Sequence, residues 1–192
     1  AQEPPARVVP PADTLRMLYT LNRQSVRRAV STGRPVPQSP ERILDAPELI
    51  DDYYLNLLDW NANNILAVAL AEAVYMWNAT DGTITPLMTS TGSGCHVTSI
   101  AWAPRGQPML AVGTSDHKVQ LWDTAKCRLV RSTESHRDRV SVLAWNDGML
   151  SSGSRDASVV HCDTRAPQHA AVKMTGHHGE VSRRAQRPAL RS

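Results

Sequence analysis

Cysteine is scarce in this chain. Cys95, Cys127 and Cys162 show no CxxC spacing and no histidines at metal-ligand intervals. A disulfide framework and a zinc site are therefore not expected, and the three thiols read as reduced residues of a cytoplasmic or nuclear protein. Long apolar runs are also missing: the longest, Ile65 to Ala71, is too short to span a bilayer. No basic-then-apolar leader opens the chain, so the sequon Asn78-Ala79-Thr80 is not expected to meet the glycosylation machinery. There is no glycine-rich phosphate loop, no paired-carboxylate motif and no GxSxG nucleophile elbow. His177-His178 is the only adjacent histidine pair and has no third ligand nearby, which fits a turn better than a metal. No enzyme, cofactor or metal centre is expected.

Charge of one sign is lacking in the middle of the chain. Residues 1–40 hold six arginines against Glu3 and Asp13, and the last ten residues add four more arginines and no acid. Residues 41–182 hold 11 basic against 16 acidic residues. The basic pI thus comes from the two ends. An acidic central region argues against nucleic acid as a partner, which would require clustered positive charge, and suits partners carrying Lys or Arg.

What the chain does have is a repeat. Trp60, Trp102 and Trp145 stand 42 and 43 positions apart, and Trp77 and Trp122 stand 45 apart. The second pair closes ValTyrMetTrpAsn and ValGlnLeuTrpAsp, and Cys162 takes the next equivalent place in ValValHisCysAsp. Self-similarity at this period, with Trp-Asp ending one strand per unit, is the mark of a β-propeller of WD repeats. The fold class is all-β.

The first blade is expected over about 50–90, with strands at 56–60, 64–70, 73–79 and 85–89 and AspGly at 81–82 as a hairpin turn. The second covers 97–133, with strands at 97–103, 109–114, 118–124 and 128–132. The third covers 140–175, with strands at 140–146, 149–154, 158–164 and 171–174. A fourth unit is expected to start at Gly176-His177 and Val181, and 182–192 to be a basic non-repeat tail. Residues 1–40 hold seven of the thirteen prolines and are expected to be disordered, apart from a short helix face from Leu15, Leu18 and Leu21. About three blades fall below the four needed for closure, so the stretch reads as the front of a larger propeller.

His136, Ser152 and Asp156 are the residue types of a hydrolase triad. They also match the loop His, strand Ser and turn Asp that WD repeats link to the Trp, which is Cys162 here. The structural chain is the better account, since Ser152-Gly153-Ser154 lies inside a repeat strand. Blade two keeps only Asp116 and Trp122 of that set, with Val112 and Ser93 at the Ser and His positions.

The stretch 41–60, ERILDAPELIDDYYLNLLDW, resembles the start of the propeller in the Fizzy family, the cell-division-cycle protein 20 type coactivators of the anaphase-promoting complex. The likeness continues through 64–70, 74–79, 110–115, 119–123 and 150–155. The resemblance implies a seven-bladed propeller that captures degrons on substrates for a ubiquitin ligase. It implies Leu44 as an apolar wall and Asp45 as the partner of the degron arginine, where a carboxylate pairs with a guanidinium. It implies Asp52 as the contact for the lysine of a Lys-Glu-Asn degron. The implied partners are subunits of the anaphase-promoting complex, degron-bearing substrates and spindle-checkpoint proteins, with no nucleic acid and no membrane, in cytoplasm and nucleus. The Asp-Arg-Tyr/Phe-Ile-Pro box and the Ile-Arg tail of the family are not found in the sequence. A non-activating interaction module, acting as scaffold or decoy, stands as the alternative.

Overall fold

The computed structural model describes residues 37–90, 94–166 and 171–182. The expected N-terminal helix face, Ser93 and the basic tail lie outside them. Twelve strands make three four-stranded antiparallel sheets in simple meander order. The first blade holds β1 (Leu58–Trp60), β2 (Ile65–Leu70), β3 (Ala73–Asn78) and β4 (Ile84–Thr89). The second holds β5 (Val97–Trp102), β6 (Met109–Thr114), β7 (Lys118–Asp123) and β8 (Arg128–Glu134). The third holds β9 (Val140–Asn146), β10 (Met149–Ser154), β11 (Ser158–Asp163) and β12 (Ala171–Thr175). Blade meets blade through their inner strands, β1 and β2 against β5, and β5 and β6 against β9.

Burial follows from that stacking. The middle blade is covered on both faces, and all six residues of β5 are buried. Ile100, Leu110 and Val112 pack against Ala67, Val74 and Met76 of blade one. On the other side Val119 and Leu121 pack against Leu143, Leu150 and Val160 of blade three. Two hydroxyls in this apolar seam keep partners: Thr98 and Ser99 both donate to the Val140 carbonyl at 2.7 Å. Gly113 is needed here, because a Cβ would stand 2.4 Å from Ser99 Oγ and 2.9 Å from Val140.

The outer strand of blade one shows how local chemistry shapes an edge. Pro86 cannot donate to a ladder and sits in β4, which pairs on one side only. The register slips beside it, and the bulge turns both Leu87 and Met88 inward. At the 81–82 turn Gly82 takes φ 78°, and Asp81 accepts the Thr83 N–H and O–H.

Two expectations are corrected. Asn56 does not open β1. It forms a parallel bridge with Ser99 of blade two, exchanging backbone bonds with Thr98 and Ile100, and its side-chain amide adds a bond to the Ile100 carbonyl. The chain therefore crosses to the neighbouring blade before its own first strand begins. Residues 176–182, where a fourth unit is expected to open, form no strand; Val181 donates its N–H to the Ser154 carbonyl instead.

Candidate functional site

The two tryptophan series do different work. Trp102 and Trp145 send their indole N–H groups to the inner strand of the preceding blade, onto the carbonyls of Asp59 at 3.1 Å and Ala101 at 3.0 Å. Asp59 also accepts the Trp102 backbone N–H at 2.7 Å. Trp60 is half exposed, bonded to Asn64 and set edge-on to Trp77 with ring centroids 6.0 Å apart. Trp122 donates to Gln120 at 2.9 Å and has no tie to Asp116.

His136, Ser152 and Asp156 do come together, and the sequence reading missed their fourth member. Ser158 Oγ lies 2.5 Å from Asp156 Oδ1, and His136 Nδ1 lies 3.1 Å from Ser158 Oγ. His136 Nε2 lies 2.7 Å from Ser152 Oγ. One proton assignment satisfies every link: Ser152 donates to Nε2, Nδ1–H donates to Ser158, and Ser158 donates to the carboxylate. The Asp156 oxygens also accept the backbone N–H groups of Arg137 and Ser158. Burial opposes the Asp156 charge, but these bonds outweigh it and hold the carboxyl far below its usual range. Burial likewise depresses His136, only partly offset by Asp156, so the ring is neutral.

A nucleophile needs a base that can take its proton. Here the imidazole lone pair is consumed by Ser152, and both groups are buried. Cys162 shares a small cavity with Ser152, Val160 and Arg131. The arrangement pins a hairpin.

Blade two answers the same need differently. Burial pulls the Asp116 carboxyl upward, but bonds from Lys118, Thr114 and Cys95 prevail and hold it at about 2. Lys118 Nζ reaches it at 2.6 Å and Thr114 Oγ1 at 2.5 Å. Cys95, buried, thus approaches the turn carboxylate as His136 does one blade later.

The residues proposed for recognition stand elsewhere, on the segment leading into β1. Leu44 is 44% exposed. Asp45 and Asp51 are exposed, and Glu48 after Pro47 takes φ 62° at a turn. Asp52 is half-buried and tied down. Its Oδ1 accepts the Tyr54 N–H at 2.9 Å, and its Oδ2 accepts Arg139 Nη1 at 2.8 Å across to blade three. The Tyr54 bond, then the Arg139 guanidinium, hold this carboxyl below its ordinary value. With one oxygen committed to backbone, Asp52 presents a single edge, which suits a compact ammonium better than a planar guanidinium fork. Arg139 and its second partner Glu180 carried no signal in the sequence, because their bonds span 87 and 41 positions. Among the described residues no group of three or more His, Cys, Asp or Glu gathers to hold a metal, and no helix is long and apolar enough to cross a membrane.

Comparison with known proteins places this geometry. The model of the anaphase-promoting complex subunit 4 WD40 domain matches residues 61–148. The chain is 42% identical to the anaphase-promoting complex subunit cdc20 of Dictyostelium discoideum, over 94% of this chain and 37% of that protein. It is 49% identical to Protein FIZZY-RELATED 2 of Arabidopsis thaliana, over 79% of this chain and 31% of that protein. The chain belongs to the Fizzy family of WD-repeat proteins. A chain in the crystal structure of the mitotic checkpoint complex superposes on this Fizzy-family chain with TM-score 0.71 at 40% identity, covering 80% of this chain and 49% of that one. The RRP9 WD40 repeats, at 21% identity and TM-score 0.57, share the fold alone. This Fizzy-family chain spans about a third of the length of the curated relatives it matches.

Proposed function

We propose that the chain supplies the first-blade face of a degron reader, recruiting substrates to the anaphase-promoting complex and activating ubiquitin transfer in the cell cycle. The observation that carries this reading is the acidic lead-in segment, with Asp45 and Asp51 exposed and Asp52 held ionised beside blade three, in a chain 42–49% identical to relatives named cdc20 and FIZZY-RELATED. Leu44 is the apolar wall and Asp45 the partner of an arginine in an Arg-x-x-Leu peptide; Asp52 takes the lysine of a Lys-Glu-Asn peptide. Checkpoint proteins are proposed as further partners, from the likeness to a chain of the mitotic checkpoint complex. The site of action is cytoplasm and nucleus, and the role is binding, not catalysis.

The test is peptide binding at two ionic strengths. Each exposed ion pair contributes at most about 1 kcal/mol and is screened over roughly 8–10 Å at physiological salt, so binding is weak and fades with salt. Asp45→Ala weakens the Arg-x-x-Leu peptide and Asp52→Ala the Lys-Glu-Asn peptide. Indifference to both substitutions would remove degron reading. A second reading, a scaffold or decoy that binds without activating, is favoured by Arg139, which already occupies Asp52.

A further inference from the structure

We propose that Arg139 is the resident cation of the Asp52 site, and that a partner's cationic side chain enters by exchange with it. This rests on the reading of Asp52 as a lysine receptor. The geometry makes the exchange one-sided. Arg139 grips Glu180 with two parallel bonds, Nε to Oε1 at 2.8 Å and Nη2 to Oε2 at 2.9 Å, the fork-on-fork pairing that is the strong form of this contact. It holds Asp52 with one bond, Nη1 to Oδ2 at 2.8 Å.

Exposure is graded in the same direction. The Glu180 side chain is 10% exposed, Arg139 18% and Asp52 29%. Ser141 donates a further bond to Glu180, and the neighbouring Val181 N–H is fixed to Ser154. Glu180 is therefore the anchor and Asp52 the outer, single-bonded end. An incoming ammonium can take Oδ2 while Arg139 keeps both bonds to Glu180, and Oδ1 stays on the Tyr54 N–H.

Charge supplies the reason for the device. Arg155, exposed, also acts on both carboxylates, so two acids are matched by two guanidinium groups. The free protein offers no net negative charge at Asp52. A lone cation gains little there, and only a peptide that brings further contacts pulls Asp52 away from Arg139. Arg139 is thus a specificity-determining residue that raises the threshold for binding.

The experiment compares the full chain with Arg139→Gln, Arg139→Lys and Arg139→Gln/Asp52→Asn, using a Lys-Glu-Asn peptide and the same peptide with norleucine for lysine. Far-UV circular dichroism shows that each variant is folded. Removing the resident cation is expected to tighten the lysine peptide about threefold at low salt, the size of one exposed ion pair, with an intermediate effect for lysine at 139. The gain vanishes with Asp52→Asn and is absent for the norleucine peptide. Equal or weaker binding by Arg139→Gln, with clear binding by the parent chain, overturns the exchange and leaves the degron reading standing. Binding of the lysine peptide by neither chain overturns both.

Discussion

Replacing Ser152 by Ala separates a hairpin pin from a catalytic triad. In the folded chain Ser152 donates to His136 Nε2 at 2.7 Å, and the His136 side chain is fully buried. Alanine deletes that bond and leaves a ring nitrogen with no donor and no water. Such a group costs about 1–3 kcal/mol, where an exchanged bond alone would cost about 0.5–1.5. For a repeat unit of this size the loss corresponds to a fall in Tm of roughly 3–9 °C. Ser151→Ala is the internal control: Ser151 Oγ lies 2.6 Å from His161 Nδ1, an equal bond on a half-buried face where water can replace it. Thermal melts of the two variants should differ, with Ser152→Ala lower. Equal melting would refute the reasoning that burial of the His136 ring sets the cost. Loss of a saturable ester- or peptide-hydrolysis rate in Ser152→Ala would refute the structural role itself.

The same group sets a pH dependence. His136 is depressed by burial, so the unfolded chain binds the extra proton first; stability is full above the ordinary histidine value near 6.5 and falls as pH drops below it, and Asp156 adds a second loss below about 3.8. Denaturant melts at pH 7 and pH 5 should show the first loss in the parent chain and less of it in His136→Gln. Gly113→Ala forces a methyl to within 2.4 Å of Ser99 Oγ and 2.9 Å of Val140, and should cost about 1–3 kcal/mol in a denaturant titration. The 192-residue chain on its own should bind a hydrophobic dye, because Leu58, Trp60 and Ile84 on blade one and Val172 and Met174 on blade three are 44–66% exposed. Leu58→Ser/Trp60→Ser should reduce that signal, and an unchanged signal would place the dye elsewhere.

The repeat was legible because it recurs in residues that must be buried or turned. Alternating small and β-branched residues mark β6 and β10 to the residue, and Trp spacing marks the period. What escaped were bonds made across the stack. Trp102 and Trp145 reach carbonyls 43 and 44 positions earlier, one repeat plus a residue, a regularity visible only once the blades are known to touch. Asn56 looks like a strand residue by composition, yet its polar side chain and backbone serve blade two. Ser158 had a local signal, standing two residues after the turn Asp156, but Lys118 takes that place after Asp116, so the pattern does not repeat. For the recognition surface the acidic segment was readable, but the Arg139–Asp52 pair joins positions 87 apart and no periodicity announces it.

The indole bonds across the blade boundaries make the chain its own optical gauge. Trp102 monitors the boundary between the first two blades and Trp145 the boundary between the second and third, while Trp60 lies half in water. Separation of either boundary breaks an indole bond and wets that ring, shifting its emission to the red, whereas Trp60 starts near the solvent limit. With the other tryptophans changed to phenylalanine one at a time, fluorescence would resolve whether the blades part in sequence or together, and from which end the stack begins to open.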